Sequence, residues 1–301
     1  MERFSTVTVW ERCCHLVGLV LLASGAVHAF AWLLVGGAWD GPVSLRKAVT
    51  FGLAFGLTVI TVTWLSGLLG LAGRRRRGVV TVFTAACVVE TVLVSVQAWR
   101  GVPSHFDRDT PVDAVVSTVL AAGGAVIVVC ALVLGWAVVR MPRSVPALLR
   151  VGVRAGFAGF LLALGAGVAM IVRGVTLAGT DGPAAAYDGA GALKPVHATT
   201  MHAILVLPLI AWLLLRTGYA ERTRWGLLLA AIGGYALTTV VVLVDTVLGV
   251  EPFTADAAAV VAMVVGALVT VGVGVVALVG TVRATTSTDA VDQPWPSSIS
   301  G

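Results

Sequence analysis

Residues 114–139 read AVVSTVLAAGGAVIVVCALVLGWAVV, an apolar run closed by Asp113 on one side and Arg140 on the other. The run contains no charged side chain, and its polar content is two hydroxyls and one thiol. Its apolar residues are continuous rather than alternating, which excludes a strand with one face in lipid and one in water. As an α-helix at 1.5 Å per residue it would extend about 39 Å, more than the ~30 Å hydrocarbon layer of a bilayer. Inside lipid a helix satisfies every backbone group within its own segment. The stretch therefore reads as a transmembrane helix.

Seven further segments have the same character: Cys13–Val35, Ala48–Ala72, Val79–Trp99, Val151–Val172, His197–Leu215, Gly226–Gly249 and Ala257–Val282. Over all 301 residues, 58% are hydrophobic and 12% charged, against about 25% charged in a soluble domain. This composition excludes a water-soluble globule, a disordered chain and a disulfide-stapled secreted domain. The fold class is all-α and integral to a membrane, with eight transmembrane helices. The first segment is too long for the apolar core of a signal peptide and carries His28, so it reads as an uncleaved helix in spite of the small-x-small string Ala29-Phe30-Ala31.

The basic residues orient the bundle. Fourteen fall on one side, among them Arg3, Arg12, the run Arg74–Arg77 and Arg283, and the remaining six of the 20 (Arg46, Lys47, Arg100, Arg108, Arg173, Lys194) fall on the other. Both termini are expected in the cytoplasm and the protein in the cell membrane, with the lipid bilayer as its partner. Asp40, Asp107 and Glu251 lie in the opposite loops. The net charge of +5 is a topology signal split among short loops, and no basic domain suited to a nucleic acid exists. The four cysteines (Cys13, Cys14, Cys87, Cys130) lie in the cytoplasmic halves of helices and form no disulfide framework.

An offset of about 142–148 residues aligns Arg12 with Arg154, Lys47 with Lys194 and Asp113 with Asp256. It suggests two parallel four-helix repeats: a first half 1–150, a second half 151–283, and a disordered cytoplasmic tail 284–301. Gly152-xxx-Gly156 on the fifth helix permits close helix approach, and Pro208 is expected to kink the sixth.

Ionisable residues within a span call for a function or a partner. His28, Glu90, His202 and Asp245 all fall at mid-membrane or in the outer half, and Gln97 shares a helix face with Glu90 at a seven-residue spacing. The outer loops add Arg46 and Lys47, then Arg100 and His105 beside the turn-forming Gly101 and Pro103, then a Gly- and Ala-rich loop 174–196 leading through Lys194 to His197. This loop could act as a lid or a plain connector. The expected site opens to the extracytoplasmic side and takes a small-molecule ligand. Glu90 and Asp245 are its candidate catalytic groups, and His28, His202, Arg46, Lys47, Gln97, Arg100, His105 and His197 its candidate cofactor-binding groups.

Several chemistries suit such residues. His28 and His202 could be axial ligands of a b-type haem, with Arg46, Lys47, Arg100 and Lys194 as propionate partners, in an oxidoreductase-like protein. His28, His202 and Glu90 could instead hold a divalent metal such as Zn²⁺. A proton-coupled transporter would use Glu90 and Asp245, although the cytoplasmic halves offer no polar path. A structural or scaffold role is the non-catalytic alternative. Eight helices in a four-plus-four arrangement are similar in architecture to the haem A synthase family. The His-Arg pair that follows the Glu-containing motifs of that family does not occur in this chain, so the resemblance implies architecture alone. The strings Gly41-Pro42-Val43-Ser44-Leu45-Arg46-Lys47, Trp99-Arg100-Gly101-Val102-Pro103-Ser104-His105-Phe106 and Lys194-Pro195-Val196-His197 resemble a family of bacterial multi-pass membrane proteins with no assigned activity. They cover the middle two-thirds of the chain and imply no mechanism.

Overall fold

The structure is a computed structural model that describes residues 8–250, 254 and 256–291. Arg3, Glu251 and the part of the expected tail beyond residue 291 lie outside the described residues. Every regular element among the described residues is helical: α1 (Val9–Val35), α2 (Leu45–Ser66), α3 (Gly73–Arg100), α4 (Pro111–Val139), α5 (Ala147–Thr180), α6 (Gly182–Gly191), α7 (Lys194–Met201), α8 (Ala203–Leu214), α9 (Glu221–Leu248) and α10 (Ala257–Val291). Among the described residues eight spans are long and apolar enough to cross a membrane, α7 and α8 together forming the sixth. The helices turn large apolar side chains outward, such as Val27, Phe30 and Leu33 on α1, as a lipid-facing surface requires.

Three helix starts are set by caps that hydropathy does not see. Thr8 and Glu11 form a capping box on α1, and the Ser44 and Thr110 hydroxyls accept from Arg46 N–H and Asp113 N–H at the starts of α2 and α4. The segment 174–196 is not the expected loop. α5 continues to Thr180, α6 fills most of the remainder, and α7 opens with Pro195 in its first turn, where a missing N–H costs nothing. Alanine, the best helix former, is what lets the segment coil. α10 likewise runs past Ala284 to Val291. In the sixth span the helix is interrupted at His202, upstream of Pro208.

The chain packs as two compact units, Met1–Val145 with Phe157–Leu205, and Pro146–Gly156 with Val206–Gly301. These units follow packing, whereas the halves 1–150 and 151–283 follow a sequence offset. In the first unit α1 and α2 meet backbone to backbone. A Cβ on Gly52 would lie 2.6 Å from Gly25 N, and one on Gly56 would lie 2.7 Å from Gly18 O. α3 packs on α2, and α4 on α3, around Val94, Val116 and Leu120. At the end of this unit that carries Arg74–Arg77, Arg76 pairs with Glu11 and donates to Ser66 Oγ at 2.9 Å. In the second unit α9 and α10 repeat the glycine device. A Cβ on Gly234 would lie 2.6 Å from Gly266 O, and Thr238 Oγ1 donates to Met263 O across the same contact at 3.1 Å.

Candidate functional site

A cavity of about 580 Å³ opens within the first unit, at the end of α2 and α3 opposite Arg74–Arg77. α2 supplies Arg46 and Lys47 at its first turn and Phe51 and Phe55 further in. The loop after α3 supplies His105 and Phe106, α6 supplies Tyr187, and α7 supplies Lys194 and His197, with His202 at its C-cap. On α7 the spacing 194, 197, 201 places Lys194, His197 and Met201 on one face. The walls are otherwise apolar, a range of size and lining usual for small-molecule sites.

Tyr187 is the hub. Its hydroxyl donates to Asp40 Oδ1 at 2.6 Å and accepts from Arg46 Nη2 at 2.9 Å and Gly41 N–H at 3.2 Å. Arg46 also pairs with Asp40 at 2.6 Å. The Lys194 ammonium lies 3.7 Å from the Tyr187 ring centroid and that of Lys47 5.0 Å, distances at which a ring face attracts a cation. The hydrogen bond from Tyr187, ahead of those from Gly41 and the charge of Arg46, holds the Asp40 carboxyl below the ordinary carboxylate range. Three cations thus gather around one ring with a single carboxylate bonded to the cluster. Arg46 and Lys47 also stand at a helix N-terminus, where the backbone dipole is already positive, and neither α2 nor α7 has an acidic residue in its first turn.

Lys47 donates to Ser104 Oγ at 3.3 Å, and Ser104 Oγ is 2.9 Å from His105 Nδ1. Burial, with the Lys47 charge adding to it, pushes His105 down to about 3, so its ring is neutral near pH 7. Phe106 beside it has φ +69, the one non-glycine among the described residues in the left-handed region. Its ring sits against bare Gly174, where a Cβ would collide with it.

Three histidines have settled tautomers, because a carbonyl oxygen can only accept. Nδ1 donates to Ser24 O in His28 (2.7 Å), to Ala163 O in His197 (2.7 Å) and to Ala198 O in His202 (2.6 Å). In each the lone pair is on Nε2. His28 has spent it by accepting Trp99 Nε1–H at 3.0 Å, and this residue does not line the cavity. His197 and His202 line the cavity.

No family model, no curated protein and no solved structure matches the chain.

The cavity brings together Arg46, Lys47, His105, His197 and His202 from the expected set. The others are placed elsewhere. Gln97 is fully buried and donates to Asp113 Oδ1 at 3.0 Å, while Arg100 pairs with Asp113 at 2.7 Å and also contacts the Gln97 carbonyl. That network ties the end of α3 to the start of α4. Glu90 does share the buried face of α3 with Gln97, but its carboxyl rests against Gly123 of α4, and Oε1 has no hydrogen-bond partner. Asp245 is buried on α9, in the second unit. Sequence reading missed Tyr187, Asp40 and Ser104 as members of the site. The available signal was that Tyr187 is the lone aromatic between Phe160 and Trp212. Among the described residues no three metal-ligating side chains form a group that could hold an ion. A second groove, of about 740 Å³ between α1 and α3, is lined mostly by aliphatic side chains of the kind a bilayer covers.

Proposed function

We propose that this multi-pass membrane protein binds an anionic amphiphile in the first-unit cavity, the charged head at Arg46, Lys47 and Lys194 and the tail along the apolar wall. The observation that carries the reading is the gathering of three cations around Tyr187 with one carboxylate, at the mouth of a cavity whose other walls are mostly apolar. Half-buried positive charge is costly without a counter-charge, and an anionic head supplies one. The excess of Lys and Arg at the other end of the helices supports a mouth on the extracytoplasmic side. The tail fits beside Phe51, Phe55, Met170 and Met201.

The haem- and metal-binding, oxidoreductase-like reading has less behind it, because both nitrogens of His28 are engaged within the protein and His28 stands apart from the His202 cavity. One observation favours a second reading, proton-linked transport. Glu90 is 3% exposed within a span and its Oε1 has no hydrogen-bond partner, a setting in which an ionisable side chain marks a candidate proton path. Loss of solute-driven proton flux in Glu90→Gln proteoliposomes is the expected result for that role, and unchanged flux removes it.

The amphiphile reading is tested in phosphatidylcholine nanodiscs with three amphiphiles of equal chain length: dodecyl phosphate, dodecyl sulfate and dodecyltrimethylammonium. The anions are expected to bind at least about tenfold tighter than the cation, and Lys47→Gln to weaken both anions by about tenfold, the order of one charge-assisted hydrogen bond. Equal binding of all three would overturn the reading.

A further inference from the structure

The charge of the cluster sets the charge of its ligand. Arg46, Lys47 and Lys194 against Asp40 leave a net of +2, and no acidic residue lines the cavity itself. A carboxylate, a sulfate ester or a phosphodiester brings one negative charge and would leave one of the three cations uncompensated in a half-buried place. A phosphomonoester carries about −1.5 to −2 at pH 7 and three terminal acceptor oxygens.

The donor count agrees with the charge count. Arg46 Nε–H is buried and has no acceptor, although Nη2 of the same guanidinium is engaged with Asp40 and Tyr187. Of three ammonium hydrogens, Lys47 uses one, on Ser104. Lys194 faces the Tyr187 ring and has no hydrogen-bond acceptor among the described residues. Donors of three side chains thus remain around Tyr187, at the N-termini of α2 and of α7, which carry partial positive charge of their own. The rigid ring of Tyr187, 9% exposed, keeps both ammonium groups within 5.0 Å of its centroid, so the cluster is assembled before the ligand arrives.

We propose that the ligand head is a phosphomonoester, bound as a dianion by Arg46, Lys47 and Lys194 around Tyr187. The proposal rests on the amphiphile reading of the cavity and narrows it from any anionic head to a doubly charged one. It distinguishes the ligand from the phosphodiester lipids that make up the bulk of a bilayer, whose single charge the cluster would only half satisfy.

The test compares dodecyl phosphate with dodecyl methyl phosphate, which has the same tail and one charge fewer, by calorimetric titration at pH 7 in phosphatidylcholine nanodiscs, with inorganic phosphate as a competitor. The monoester is expected to bind at least about tenfold tighter than the methyl diester. Lys194→Gln is expected to bring the two within about threefold of one another, and Lys47→Gln to do the same should the first variant fail to fold. Equal affinities in the parent protein would overturn the dianion head while leaving the amphiphile reading intact. Displacement of dodecyl phosphate by inorganic phosphate at an equal concentration would show that free phosphate is the ligand and remove the amphiphile reading. Binding of both esters no tighter than dodecyltrimethylammonium would remove both.

Discussion

Replacing Tyr187 separates two parts of the cluster that look like one. Tyr187→Phe keeps the ring beside the two ammonium groups and removes only the hydroxyl. The lost bonds are discounted because Asp40 is 71% exposed, so water replaces much of what the hydroxyl donated, and Arg46 keeps Asp40 as its partner. What remains is the unmatched Gly41 N–H and a weakened Arg46 contact, about 1 kcal/mol together. Tyr187→Ala removes the ring as well. Two half-buried cation–ring contacts at 3.7 and 5.0 Å account for about 2 kcal/mol, and deletion of a buried aromatic side chain brings the total loss to about 4 kcal/mol. Lys47 and Lys194 would also repel each other with no ring to offset it, so added salt should recover part of the alanine variant's loss. The assay is unfolding of the purified protein in non-ionic micelles by rising urea, followed by tryptophan emission from its nine tryptophans. The argument fails if Phe costs as much as Ala, since the hydroxyl would then carry the cluster. It fails equally if Ala costs under 1 kcal/mol, since the ring would then hold nothing.

Three further outcomes follow from other places in the first unit. Gly123→Ala places a methyl group into the Glu90 carboxyl and should destabilise by about 1–3 kcal/mol, whereas the pair Gly123→Ala with Glu90→Ala should recover most of that loss; an additive double variant in the same unfolding assay would contradict the contact. Gln97→Leu, at a fully buried position, strips a partner from Asp113 and Arg100 and should cost about 1–3 kcal/mol, read as a lower unfolding midpoint; a neutral result would mean that the network does not tie α3 to α4. His105 is neutral when folded and titrates only near pH 3, but near 6.5 when unfolded, so the unfolded chain binds the extra proton in between. Its contribution is complete above pH 6.5 and falls by at most about 1.4 kcal/mol per unit as pH drops from 6.5 toward 3. A His105→Gln variant should show a shallower loss over that window, and an unchanged pH profile would argue against a buried neutral ring.

The eight spans were legible because crossing a bilayer is a requirement on one segment at a time, and mean hydropathy over about 20 residues measures it. Their ends were less so. α2 starts at Leu45 and not at Ala48 because the Ser44 hydroxyl caps it, and α5 and α6 consume the expected loop because alanine-rich chain coils wherever its backbone has no better use. Tyr187 was overlooked for that reason: in a loop it would be a surface aromatic, while on α6 it is aimed at Arg46 from 141 positions away.

Among the polar residues, sequence spacing placed Glu90 and Gln97 on one face of α3, and both are buried there. Helical period alone decides that much. Which neighbour each would meet was a different question. Gln97 meets Asp113, Glu90 meets the bare backbone of Gly123, and His28 meets Trp99 rather than another ligand. Those encounters depend on the rotation and offset of one helix against the next, as do the close glycine contacts between α1 and α2, where an added carbon would lie under 3 Å from the facing backbone. Hydrophobicity sums along a chain and can be read in one dimension. The gathering of Arg46, Lys47 and Lys194 around Tyr187 is a property of three packed segments, α2, α6 and α7, and only their packing creates it.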